Sequence, residues 1–135
     1  MRYAKTVKLR LSYDEAVPKV KEAFRARGFG TLTEIDVRAT LKEKLGEHME
    51  PYLIIGACNP ALANRALRVE RQVGLLLPCN VVVRQGDDGV IVEAVDASMI
   101  ATVPANPDLE PIADEAGRLI EEALEDLAAS AGTGA

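Results

Sequence analysis

The chain holds only two cysteines, and asparagine follows each: Cys58-Asn59-Pro60, then Pro78-Cys79-Asn80. A thiol can attack an electrophile, bind a soft metal or be oxidised, and an amide can hold a ligand by donating and accepting at once. Asn59 is a good helix N-cap and Pro60 a good first helical residue, so Cys58 stands beside the positive end of a helix. Free amide groups and the helix dipole there favour a thiolate. The competing reading is plain: cysteine is often buried as a small hydrophobe, and Asn59 then only caps. Cys79 sits among apolar neighbours, which favours that reading for it. Asn80 lies between Leu75–Leu77 and Val81–Val83, where a buried amide needs either backbone or a ligand as partner. Cys58, Asn59, Cys79 and Asn80 are therefore the candidate ligand-binding residues. Cys58 and Cys79 are the candidate catalytic thiols, with no assigned reaction.

Other chemistries are poorly represented. His48, Cys58 and Cys79 lack the paired close spacing of a structural zinc site, so neither metal nor cofactor is expected. A Cys–His catalytic pair would have to use His48, the sole histidine, which lies in a charged loop. Gly28 and Gly30 do not have dinucleotide-loop spacing. Glu34 and Asp36 suggest acid–base partners, yet a helix cap explains Asp36 more simply.

Whether the two thiols meet depends on strand direction. Tyr52 to Ala57 (YLIIGA) is apolar throughout and predicts a central strand covered on both faces, with Cys58 at its end. Val73 to Leu77, Pro78 and Val81 to Arg84 lead into another strand, with Cys79 at its start. Parallel neighbours would hold the cysteines about 17 Å apart, at opposite ends of the sheet. Antiparallel neighbours would bring them to one end. The turn Gly86-Asp87-Asp88-Gly89 before Val90–Val95 reads as a hairpin and favours the antiparallel case.

Around these lie the positioning elements. Tyr3 to Leu11 alternates as a half-buried strand, and Ser12 with Glu15 forms a capping box. The helix that follows must accommodate Pro18, expected to kink its first turn or delay its start, and ends at Gly28-Phe29 with a left-handed cap. Thr31–Ile35 is a short strand. Asp36 caps a helix through Val37, Leu41 and Leu45 to Gly46. A helix spans Pro60 to about Val69. Asn106-Pro107 starts the clearest helix, with Leu109, Ile112, Ala116, Leu119, Ala123 and Leu127 on its stripe. The order predicts one α+β domain over residues 1–129: a mostly antiparallel sheet, helices packed on one face, a long C-terminal helix, and a disordered tail over 130–135.

Net charge is −5, but Asp108 onward holds eight acidic residues and one basic, so the acidity belongs to one helix. With 4% aromatics and no basic stripe, nucleic-acid binding lacks its electrostatic and stacking signatures. No uncharged run reaches membrane-spanning length and the N-terminus lacks a signal peptide's apolar core, so a cytoplasmic protein with reduced thiols is expected.

Three stretches, TEIDVRATLKEKLG (Thr33–Gly46), YLIIGACNPALANRAL (Tyr52–Leu67) and GLLLPCNVVVR (Gly74–Arg84), resemble a bacterial and archaeal family known as domain of unknown function 302. The family's motif positions fall on Asp36, Lys44, Leu45, Gly46, Cys58, Asn59, Pro60, Pro78 and Cys79. The resemblance implies a small α+β fold similar to the TATA-binding-protein architecture, and a homodimer. It brings no established reaction. Asp96-Ala97 departs from the Asp-Pro common in the family.

Three functions follow as expectations. The leading one is a homodimeric module that binds a small anionic or carbonyl-bearing ligand beside the Cys-Asn pairs, without catalysis. The second is a thiol-dependent redox protein or enzyme with Cys58 attacking and Cys79 resolving. The third is a structural or assembly protein with cysteines in its core.

Overall fold

A computed structural model describes residues 3–131 of the chain. Five strands alternate with helices: β1 (Ala4–Leu9), α1 (Tyr13–Ala26), β2 (Gly30–Asp36), α2 (Val37–Leu45), β3 (Tyr52–Cys58), α3 (Pro60–Val69), β4 (Cys79–Gln85), β5 (Val90–Val95), the single turn α4 (Met99–Thr102) and α5 (Glu110–Ala131). The strands form one sheet in the order β1-β5-β4-β3-β2, and every neighbouring pair is antiparallel. This is the expected single α+β domain with its long C-terminal helix.

Local chemistry sets the element ends. Ser12 Oγ accepts from the Glu15 amide at 3.2 Å while the Ser12 amide donates to Glu15 Oε1 at 3.3 Å, closing the capping box. That cap starts α1 at Tyr13 in spite of Pro18, which the helix carries in its interior. Gly28 has φ +91°, and the Phe29 amide reaches back to the Phe24 carbonyl at 2.9 Å, the closure of a Schellman motif. The Phe24 and Phe29 rings meet edge to face, with centroids 6.2 Å apart.

Strand alternation divides the sheet into two unlike faces. Leu53, Ile55 and Ala57 of β3, Cys79, Val81 and Val83 of β4, and Val90, Val92 and Ala94 of β5 are buried beneath the helices. Ala16, Val20 and Phe24 of α1, Leu62 and Ala66 of α3, and the Ile112–Leu127 stripe of α5 complete that core. The reverse face carries no such layer. Tyr52, Ile54 and Val82 are only half-buried there, so β3 is not the doubly covered strand that YLIIGA predicted. An all-apolar run reports low exposure but not which layer supplies it.

Three further departures come from the chain's irregular parts. Arg71–Leu76 winds into a 3-10 helix, and β4 starts only at Cys79, after a cis Leu77–Pro78 peptide. Asn106 caps a 3-10 turn over Pro107–Leu109 before α5 begins at Glu110, and α4 had no counterpart in the sequence pattern. The expected tail starts within α5, which continues to Ala131; residues 132–135, like Met1 and Arg2, lie outside the described residues. Among the described residues no helix is long and apolar enough to cross a membrane.

Gly56 closes the reverse face near the Cys58 end. A Cβ there would collide with Thr33 Oγ1 and lie 2.9 Å from Pro78 Cγ. Gly56→Ala is expected to destabilise the fold by about 1–3 kcal/mol in urea unfolding, as overpacking does. Thr33→Ala in the same chain should recover part of that loss; full additivity would mean that the Thr33 contact is not what excludes a side chain.

Candidate functional site

The β3–β4 register brings the two cysteines to one end of the sheet. Ala57 stands opposite Cys79 and Gly56 opposite Asn80, so Cys58 at the end of β3 and Cys79 at the start of β4 share a rim. The antiparallel case therefore holds. The pleat then separates their neighbours. Cys79 shares the buried face with Ala57, whereas Asn80 and Gly56 point to the reverse face.

Asn80 is consequently exposed, contrary to the buried amide expected from its apolar flanks. The flanking residues mislead because Leu75 and Leu76 belong to a 3-10 helix rather than to the strand. Leu75 is itself 81% exposed.

Asn59 acts as the sequence suggested, at the N-cap of α3. Its Oδ1 accepts from the Leu62 amide at 3.1 Å. Its Nδ2 rests over Gly28, 3.0 Å from where a Cβ would stand, so the glycine ending α1 makes room for the amide that starts α3. Among the described residues that Nδ2 donates to no side-chain or backbone oxygen.

A small cavity of about 30 Å³ opens beside this junction. That volume is room for a water molecule or two, or for one small apolar group. Half-buried Cys58, Asn59, Ala63, Leu77 and Pro78 form its mouth. Its floor is apolar and includes Ala57, Leu62, Cys79, Ile112 and Ala116. Phe29, just after α1, and Ile100 of α4 also reach it, contributions that only the tertiary packing reveals. Small side chains at Ala57, Ala63, Ala66 and Ala116 leave the space that larger ones would fill.

The remaining candidates lie elsewhere. His48 follows α2 near Asp36, Arg38 and Lys42. It precedes β3, whereas Cys58 ends it, so the strand's length of about 20 Å separates the imidazole from the thiol. No Cys–His pair forms. Among the described residues no three His, Cys, Asp or Glu side chains cluster as a metal site would require. Glu34 pairs with Lys21 at 2.6 Å, and Asp36 Oδ1 caps α2 by accepting from the Ala39 amide at 2.9 Å.

The fold's relations agree with its geometry. The family model described as "Domain of unknown function DUF302" matches residues 4–127. The chain belongs to the DUF302 family. A solved structure, that of an uncharacterized conserved DUF302 protein from Bacillus stearothermophilus, has a TM-score of 0.86 and 27% identity, covering 93% of this chain and 98% of that one. No curated protein matches the chain. The match spans every element of the sheet and nearly all of α5, so the rim that holds Cys58 and Cys79 lies wholly inside the DUF302 domain.

Electrostatics distinguishes the two thiols. Burial, and after it the charge on Cys58, push Cys79 from 9.0 up to about 11. The unfolded thiol ionises near 9, so the stabilisation from keeping Cys79 neutral is complete below pH 9 and is lost as pH rises towards 11. Two units correspond to about 3 kcal/mol at most. Urea unfolding should therefore show wild type ahead of Cys79→Ala by about 1 kcal/mol at pH 8, with that advantage gone or reversed near pH 11. A difference independent of pH would mean that the thiol is not desolvated.

Proposed function

We propose that this DUF302 chain is a homodimeric module that binds a small ligand at the rim cavity, with the ligand's apolar end inside and its carbonyl or carboxylate group at the mouth. The cavity carries the reading: an apolar recess with Cys58 and the capping Asn59 at its mouth, at the start of a ten-residue helix. Pockets of this kind use apolar walls for affinity and a few polar groups for orientation. Asn59 supplies the oriented amide, and Cys58 stands next to it at the mouth. Cys79 shapes the floor. Asn80, exposed on the reverse face, is not part of this arrangement.

The thiol-redox reading has less support. Cys79 holds its proton firmly at neutral pH, which makes it a poor resolving thiol even though Cys58 lies near enough for its charge to reach it. A cytoplasmic setting with reduced thiols fits the proposed binding role.

Native mass spectrometry of the chain purified directly from cells tests the proposal. A bound metabolite is expected, and Ala63→Val, which adds two methyl groups at the mouth, should remove it and leave the far-ultraviolet circular dichroism unchanged. Equal retention by Ala63→Val, or a bare wild-type chain that no metabolite extract stabilises against heat, would count against the cavity.

A further inference from the structure

The chain's two cysteines share one recess. Cys58 follows Ala57, which stands directly opposite Cys79, so their Cα atoms are diagonal neighbours across one strand gap, about 6 Å apart. Both are free thiols, and both line the rim cavity, Cys58 half-buried at its mouth and Cys79 buried in its floor. The volume there, about 30 Å³, suits a guest the size of a single water molecule.

The donor set is narrow. Apart from the two sulfurs, the cavity is walled by aliphatic and aromatic groups such as Phe29, Leu62, Leu77 and Ile112. Asn59 Oδ1 is already engaged with the Leu62 amide. His48 lies beyond the far end of β3, and no carboxylate lines the recess. Calcium and magnesium need a shell of oxygens, which these walls do not supply. Structural zinc needs four protein ligands, and among the described residues no cluster reaches even three. A soft monovalent ion with a filled d shell differs from all of these. It is satisfied by two thiolates in a line, and sulfur donors select it.

We infer that Cys58 and Cys79 hold one copper(I) ion between them in the rim cavity. Each thiol gives up its proton to solvent and forms one sulfur–metal bond. The metal stays at +1 and neither sulfur is oxidised. Two thiolates around one monovalent cation leave a single net negative charge, and the positive end of the ten-residue α3 faces that charge. The half-buried position of Cys58 gives the ion its way in, by capture at the mouth and transfer to the second sulfur below. The apolar walls then keep water and competing oxygen ligands away from the metal. This site does not rest on the organic ligand proposed above, since the two thiols alone define it.

Anaerobic titration of the reduced full chain with copper(I) held by the coloured chelator bicinchoninate tests the inference, with silver(I) as a redox-inert second probe. The chain should withdraw one equivalent of metal, and X-ray absorption should show two sulfur neighbours. Cys58→Ser and Cys79→Ser should each weaken capture by more than about 100-fold, beyond the usual cost of losing an outer partner of a metal site. Cys58 is only half-buried, so its variant tests the site even if Cys79→Ser fails to fold by circular dichroism. His48→Ala should leave capture unchanged. A chain that surrenders its copper to the chelator, capture that survives Cys58→Ser, or nitrogen in the metal's shell overturns the inference. Copper(I) held by a chain that retains no metabolite supports it and removes the organic-ligand reading alone. A metabolite retained by a chain that captures no copper removes the metal site alone.

Discussion

The pairing of β3 with β4 is the constraint that the rest of the molecule obeys. Ala57 opposite Cys79 places Leu53, Ile55, Val81 and Val83 on the helix-covered side, and it brings the end of one strand to the start of the next. A slip by one residue would turn Asn80 and Val82 inward and Cys79 and Val81 outward, exchanging the core with the surface. Gly56 and Pro78 close the reverse side of the same pairing, where Thr33 leans over the missing side chain. Core, rim and cavity therefore share one register.

The rim junction links this register to the helices. Gly28 ends α1 in a left-handed conformation, and the Asn59 amide that starts α3 occupies the space above it. Two helix termini and two strand termini thus meet around one asparagine. The cavity exists because Ala63 and Ala66 of α3 and Ala116 of α5 stand beside the larger Leu62 and Ile112 at that corner and leave it unfilled. Cys79 serves the core and the cavity floor together. The acidic character of α5 has a structural role in the same assembly. Glu122 and Asp126 reach Arg27 at 3.3 and 2.7 Å, and Glu115 reaches Arg65 at 2.8 Å, tying α5 to the end of α1 and to α3.

The two faces of the sheet have different consequences. One is a finished core, with Leu9, Val83, Val90 and Val92 wholly inaccessible. The other carries no helical layer over Tyr52, Ile54 and Val82, which stay half-buried.

Much of this was legible in the residues themselves. Capping depends on a few neighbours, and Ser12, Gly28, Asp36 and Asn59 announced helix ends that the structure bears out. Hydrophobic period set the long C-terminal helix, and the Gly86–Gly89 turn favoured the antiparallel pairing that the β3–β4 register then shows, with both cysteines at one rim. What local pattern cannot carry is the identity of the layer on each side of a strand. YLIIGA reads the same whether its second face meets a helix, a second chain or partial solvent. Asn80 looked buried because its flanks are apolar, yet a 3-10 helix before it and the pleat at β4 turn its side chain outward. The cavity, the reach of Phe29 and Ile100 into it, and the exposure of β2 depend on contacts between residues far apart in the chain, and only the assembled tertiary structure decides those.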